Sequence, residues 1–206
     1  MKRQLDELLD TNLQQINHIS ENKHFIGFSK KLGEKVFVKI FKDPLKYELE
    51  YKVLWDKTNL LLTFPEYSAL VLKYEDYTPL NKENVNVEDI IKTAELISDF
   101  HKGNWLEIEN EKEISLEKVL EKNVYRLADR KEYTEISELH SKFLKNISKL
   151  DEEYEKTLVL IHGDFGLRNI MRKDDNLVLI DFERVKYASY YLDFIKYFYQ
   201  DLMKSK

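Results

Sequence analysis

Three side chains with oxygen donors stand close together in the last quarter of the sequence. Asp164 follows a predicted strand at 157–161, Asn169 comes soon after it, and Asp181 follows a second apolar run. A predicted hairpin, 170–172 with 177–180, lies between Asn169 and Asp181 and carries the chain out and back. We therefore expect the two carboxylates and the amide to converge.

Such a set of hard oxygen ligands suits Mg²⁺, which takes few protein ligands and completes its shell with water and phosphate oxygens. A carboxylate beside the metal that does not bind it can accept a proton from an attacking hydroxyl. The alternative interpretation is that these aspartates only form turns and caps. We favour a site because Asp164 and Asp181 both follow apolar runs closely, where an unpaired buried charge is unfavourable.

The first part of the chain predicts strands with one helix among them. Alternating aromatic and β-branched residues predict a hairpin with Gly33 in its turn, and Pro44 is typical of a first helical turn. The predicted elements are a helix at 1–10, strands at 24–29 and 36–41, a helix at 45–56 and a strand at 67–74.

From Asn86 onward the apolar spacing becomes helical, with Asn86 as the N-cap and Asp89 three residues on. Further helices are predicted at 115–130, 133–154 and 190–203. Strands first and helices later, around one small hairpin, indicate an α+β fold in two lobes joined near 74–86.

Composition narrows the classes of function. The 206 residues carry 33 Lys and Arg against 38 Asp and Glu, a net charge of −5, which disfavours nucleic acid as a partner. Cysteine is absent, so thiol chemistry and disulfides are excluded. The first residues turn acidic at once and no apolar run reaches the length of a membrane span, so we expect a cytoplasmic protein. The oligomeric state is left open.

The motifs H-G-D-x4-N (His162 to Asn169) and I-D-F-E (Ile180 to Glu183) resemble those of the protein-kinase-like superfamily. The similarity is greatest to its aminoglycoside and choline phosphotransferase branch. The resemblance implies a small antiparallel-sheet N-lobe at 1–78 and a mainly helical C-lobe at 79–206. It also implies ATP and Mg²⁺ as cofactors, Asp164 as the catalytic base, and Asn169 and Asp181 as metal ligands.

The same resemblance assigns nucleotide-binding residues upstream. Lys39, flanked by apolar residues, takes the place of the strand lysine that holds the nucleotide phosphates. Its glutamate partner is Glu50, in the pattern E-x-x-V-L, with Glu48 as the rival. Leu72 takes the gatekeeper place, and the backbone of Lys73 and Glu75 is expected to face the adenine edge.

Other positions support the two motifs. Arg168 stands where some kinases carry an arginine near the transferring phosphate, and a surface ion pair is an equal alternative. Asp193 resembles the aspartate that braces the catalytic loop, His101 ends the helix beneath that loop, and His162 is expected to be a structural support.

The sequence departs from the family pattern at the phosphate loop. Residues 18–24 contain no glycine, so backbone cover of the phosphates is not expected there. Ser20 or Asn22 is the predicted side-chain substitute.

The expected reaction is transfer of the ATP γ-phosphate to a hydroxyl of a sugar, an amino sugar or a similar small metabolite. The short stretch from Asp181 to Asp193 leaves no room for a peptide-binding activation segment. Glu107, Glu109 and Glu111 could meet a cationic substrate, although a solvated face is the simpler interpretation. The alternatives are a small atypical protein kinase or a nucleotide-binding regulator without turnover. Metallophosphatases are excluded by the missing companion motifs.

Overall fold

The computed structural model describes residues 1–16, 21–55, 57–103, 138, 141 and 152–198. The predicted helix at 115–130, most of that at 133–154, and Glu107, Glu109 and Glu111 lie outside this part. The chain divides into two units: Met1–Ile90 with Leu167–Val185, and Ile91–Gly166 with Lys186–Lys206. The predicted lobe boundary at 78/79 stays a prediction.

The first unit is built on an antiparallel sheet of five strands in the order β1-β2-β3-β5-β4. They are β1 (Gln14–Ile16), β2 (Lys23–Ser29), β3 (Glu34–Ile40), β4 (Leu60–Phe64) and β5 (Ala69–Lys73). The predicted β2–β3 hairpin is confirmed, and its turn uses Gly33 with φ of 71°, a left-handed backbone that glycine adopts without steric cost. β1 and β4 were not predicted.

One face of this sheet forms the core of the first unit. Leu5 and Leu9 of helix α1 (Lys2–Leu9) are fully buried against it. The strand residues of this core are Phe25, Val36, Val38, Ile40, Ala69 and Val71. Because side chains alternate along a strand, Lys39 lies on the opposite face of β3.

Helix α2 (Pro44–Leu54) carries the glutamate that reaches Lys39. It begins after Asp43, whose side chain accepts a hydrogen bond from the Leu45 N–H at 3.0 Å, with Pro44 in its first turn. Tyr47, Glu50 and Leu54 are buried at helical spacing, so Glu50 lies on the inward face of the helix.

Helix α3 (Val87–Lys102) starts with the predicted cap. The Asn86 side chain accepts from the Asp89 N–H at 2.9 Å, and the Asp89 carboxylate accepts from the Asn86 N–H at 2.9 Å. This reciprocal pair satisfies two backbone donors at the start of the helix. Asp89 also contacts Arg172 at 2.5 Å.

A second, three-stranded sheet of the first unit has the order β6-β8-β9, with β6 (Thr78–Pro79), β8 (Ile170–Lys173) and β9 (Asn176–Leu179). The β8–β9 pair is the hairpin predicted between Asn169 and Asp181, and it is confirmed. β6 was not predicted.

The described part of the second unit contains an antiparallel pair, β7 (Leu158–Ile161) with β10 (Lys186–Ser189), and helix α4 (Tyr191–Ile195). β7 and α4 were predicted, whereas β10 was not. Among the helices that the structure describes, none is long and apolar enough to cross a lipid bilayer.

Candidate active site

Lys39 is the centre of a buried ionic cluster in the first unit. Its side chain is almost inaccessible, and Nζ lies 2.6 Å from Glu50 Oε2 and 2.5 Å from Asp181 Oδ1. Glu183 Oε2 is a third acidic neighbour at 3.5 Å. The partner of Lys39 on α2 is thus Glu50, while the rival Glu48 is exposed.

Burial and charge act against each other on this lysine. Burial by itself lowers the pKa of Lys39, but the attraction of Glu50 and Asp181 more than offsets it, and the pKa ends above the ordinary 10.5. Lys39 is therefore a permanent cation. Removing one member of such a buried set leaves an uncompensated charge and typically destabilises a protein by about 3–5 kcal/mol.

The pKa of Glu50 is also raised. Burial is the main cause, the Lys39 ammonium opposes it, and the negative charge of Asp181 adds to it, so that the pKa reaches about 7. When all groups are ionised, the negative charge of the cluster therefore exceeds the positive charge of its ammonium groups.

Glu183 is a functional candidate to which the sequence analysis assigned no role. One oxygen lies 3.3 Å from Lys46 Nζ on α2, and the other accepts from the Asn22 side chain at 2.5 Å. Its position in the I-D-F-E motif, two residues after Asp181, is the local signal that could have identified it. Lys46 carried no such signal.

A backbone hydrogen bond closes the base of the β8–β9 hairpin beside Asn169 and Asp181. The Asn169 carbonyl accepts from the Ile180 N–H at 3.1 Å, one residue before Asp181. Asn169 is buried, whereas about a third of the Asp181 side chain is exposed. Asp181 has φ of 67°, a left-handed backbone that is uncommon outside glycine.

The donors around Lys39 fit a divalent cation. Carboxylate oxygens of Glu50, Asp181 and Glu183 lie within 4.8 Å of one another. They are hard ligands of the kind Mg²⁺ prefers. With Lys39 and Lys46 as counter-charges, three carboxylates against two ammonium groups leave an excess of one negative charge when all are ionised.

The residues predicted to meet adenine lie on and after β5. Leu72 is half-buried and is paired with Phe37 of β3 and Leu60 of β4. The Lys73 N–H donates to the Asn59 carbonyl at 2.8 Å, and the Glu75 side chain pairs with Lys173 at 2.5 Å. Ser20 lies outside the described residues.

In the second unit, Asp193 at the start of α4 holds the backbone that follows β7. Its carboxylate accepts from the His162 N–H at 2.8 Å and from the Gly163 N–H at 3.0 Å. His101 Nε2 lies 3.0 Å from the same carboxylate, which is 1% exposed. The prediction that Asp193 braces this loop is confirmed.

Asp164 is buried at the end of the loop that Asp193 holds. Its N–H donates to His162 Nδ1 at 3.3 Å, so this ring nitrogen carries no proton. His162 is fully buried, as expected of a structural support. The Asp164 carboxylate pairs with Lys196, which comes three residues after Asp193.

Arg168 belongs to the first unit, in the short turn Leu167–Asn169, and its side chain is exposed. Its predicted place near the transferring phosphate stays a prediction.

Sequence comparison identifies the family. Residues 68–203, about two thirds of the chain, match the phosphotransferase enzyme family (APH). The chain belongs to this family. No curated protein matches the chain in sequence.

Solved structures show the fold. The choline kinase LicA from Streptococcus pneumoniae superposes with a TM-score of 0.65 at 16% identity, covering 99% of this chain and 74% of that one. The Plasmodium vivax ethanolamine kinase gives 0.59 at 16% identity, covering 92% and 60%. Spectinomycin phosphotransferase APH(9)-Ia, solved with ADP and spectinomycin, gives 0.56 at 12% identity, covering 92% and 70%. The fold is therefore the two-lobed α+β kinase-like fold, and the chain spans 60% of the length of the ethanolamine kinase.

Proposed function

We propose that this protein transfers the γ-phosphate of ATP to a hydroxyl group of a small molecule. The observation that carries the proposal is the buried Lys39 ammonium, held by Glu50 and Asp181 on the sheet face opposite the apolar core. A permanent cation in this place suits the phosphates of a nucleotide. Family membership and the ADP bound to spectinomycin phosphotransferase support a nucleotide as the donor.

Each residue has a distinct part in the proposed reaction. Asp164 accepts the proton of the acceptor hydroxyl, and Lys39 orients the nucleotide phosphates. Asn169 and Asp181 would hold Mg²⁺, which supplies positive charge to the phosphate oxygens when bound. Arg168 is proposed to stabilise charge on the moving phosphoryl group. Leu72, Lys73 and Glu75 are proposed to border adenine, and Ser20 to contact the phosphates.

The acceptor is proposed to be a small hydroxylated metabolite. The short stretch from Asp181 to Asp193 leaves little chain for seating a peptide. Sugars and amino sugars are the first candidates, and choline and ethanolamine join them because kinases of these amino alcohols share the fold.

The deciding experiment measures ADP release with Mg²⁺–ATP and a panel of acceptors: choline, ethanolamine, hexoses, amino sugars, spectinomycin and a protein mixture. We expect one small-molecule class to raise ADP release well above the acceptor-free rate. Lys39→Met should abolish the increase, while Lys30→Met, at an exposed position of the β2–β3 turn, is the matched control.

Two results would contradict the proposal. Phosphorylation of protein alone would favour the atypical protein kinase. Tight binding of Mg²⁺–ATP by calorimetry, with no ADP release for any acceptor, would favour a nucleotide-binding regulator.

A further inference from the structure

The side chain of Asn22 connects three segments of the first unit. Its amide nitrogen donates to Glu183 Oε2 at 2.5 Å, and its amide oxygen accepts from the Lys42 N–H at 3.2 Å. Asn22 is 7% exposed and directly precedes β2. Both polar atoms of this buried side chain are thus engaged by the protein.

Glu183 receives donors from separate parts of the same unit. Besides Asn22 it contacts Lys46 at 3.3 Å and Lys39 at 3.5 Å. Asn22 is the uncharged donor among these three, so the Asn22–Glu183 contact can be altered while both lysines are kept. Because Glu183 lies two residues after Asp181, fixing its carboxylate restricts the segment that presents Asp181 to Lys39.

We propose that Asn22 is a positioning residue, which acts through Glu183 to hold Asp181 and Lys39 in place for the nucleotide phosphates. The inference rests on the proposed function. It assigns to Asn22 a different part from the phosphate contact expected of it, since both polar atoms of its amide are turned to Glu183 and Lys42. Asn22, in the glycine-free stretch 18–24, is then connected to the site through its side chain.

The chemistry of the pair provides a reciprocal exchange. Asn22→Asp keeps an acceptor for the Lys42 N–H but sets two carboxylates against each other. Glu183→Gln keeps an acceptor for the Asn22 amide. In the double variant the new amide at position 183 can donate to the new carboxylate at position 22, so the contact is restored with its direction reversed.

The experiment measures the dissociation constant for Mg²⁺–ATP by calorimetry, together with the melting temperature, in a double-mutant cycle. We expect Asn22→Asp to weaken binding about tenfold in the wild-type background, the size of a coupling of about 1.4 kcal/mol. In the Glu183→Gln background we expect a change of less than about threefold. Asn176→Asp adds the same charge at an exposed position of the first unit and should leave binding unchanged.

The outcomes separate the possibilities. Equal loss of affinity in both backgrounds, or a lower melting temperature without loss of affinity, would show a purely structural role and overturn the inference. Should Asn22→Asp fail to fold, Asn22→Ser tested in the same two backgrounds gives the same decision. If the wild type itself does not bind Mg²⁺–ATP, the proposed function fails, and the inference fails with it.

Discussion

The carboxylates of Glu50 and Asp181 in the first unit and the carboxylate of Asp193 in the second have partners of different kinds. In the first unit, the Glu50 and Asp181 side chains both contact the ammonium group of Lys39. In the second unit, Asp193 accepts hydrogen bonds from two backbone N–H groups and is also in contact with a histidine ring. The two sets are expected to respond differently to a ligand.

An ammonium group can exchange one anionic partner for another, because each contact is a charge–charge contact with little directional demand. A phosphate can thus take a place beside Lys39 that a carboxylate holds. Backbone donors are fixed in direction by the chain, so the Asp193 contacts are expected to persist throughout the reaction. The first arrangement suits binding and the second suits support, and each prediction below tests this distinction.

The largest effect is expected at Asp164. Asp164→Asn keeps the shape of the side chain but cannot accept a proton, so we expect ADP release to fall about 10²–10⁴-fold. The dissociation constant for Mg²⁺–ATP should stay within about threefold, because the proton acceptor is not a nucleotide contact. Asp174→Asn, in the exposed β8–β9 turn, is the control. Full turnover by Asp164→Asn would refute its role.

Lys39→Met tests the ionic contacts of the first unit, in which one anionic partner of Lys39 can be exchanged for another. It leaves three carboxylates around a neutral side chain, and we expect a loss of about 3 kcal/mol in the free energy of unfolding at pH 8. The loss should be smaller at pH 5.5, where Glu50 is protonated. Urea unfolding at both pH values measures this, with Lys30→Met in the exposed β2–β3 turn as the control. A variant as stable as the wild type would show that the Lys39 charge does not stabilise the folded protein through its carboxylate neighbours.

Asp193→Asn tests the hydrogen bonds of the second unit that are expected to persist throughout the reaction. The wild-type carboxylate offers two acceptor oxygens to its donors, whereas the amide offers only one. We therefore expect about 2 kcal/mol of destabilisation. Turnover should fall because the loop that ends at Asp164 loses its support, while Mg²⁺–ATP affinity is retained. Asp99→Asn, with an exposed ion pair to Lys102, should change neither. A loss of affinity equal to the loss of turnover would contradict the assignment of support to Asp193.

The smallest effect concerns the pH dependence of stability without metal. The pKa of Glu50 is raised from 4.5 to about 7, so the folded protein keeps a proton there that the unfolded chain releases. This contribution is complete below pH 4.5 and is lost as pH rises through 7. Relative to Glu50→Gln, which does not titrate, the wild type should lose on the order of 1 kcal/mol between pH 6 and 7. Unfolding in EDTA measures it, and parallel pH curves would contradict it.

Elements with a local signal were predictable from the sequence. The Asn86 and Asp89 pair is such a case, because both partners of the cap lie within one helical turn. The Lys39–Glu50 pair was expected from the family resemblance, with Glu48 as the rival, and the structure selects Glu50. The β8–β9 hairpin was predictable from its polar turn.

The rest depends on contacts between distant residues. β1 has three residues and β10 lacks a clear alternation of apolar side chains, so only pairing with β2 and β7 defines them. Glu183 reaches Asn22 and Lys46 across more than a hundred residues, and nothing near Lys46 in the sequence indicates that partner. Such pairs arise when the sheet and the hairpin have formed.

The backbone of Asp181 has a consequence for how this protein can be improved. A backbone with φ of 67° is less favourable for aspartate than for glycine. Replacing Asp181 by glycine would relieve about 1–2 kcal/mol of backbone strain, but it would also take away one of the anionic partners of the buried Lys39, a loss of about 3–5 kcal/mol. Laboratory evolution for heat resistance should therefore keep the carboxylate at position 181, and should accept glycine there only after position 39 has lost its positive charge.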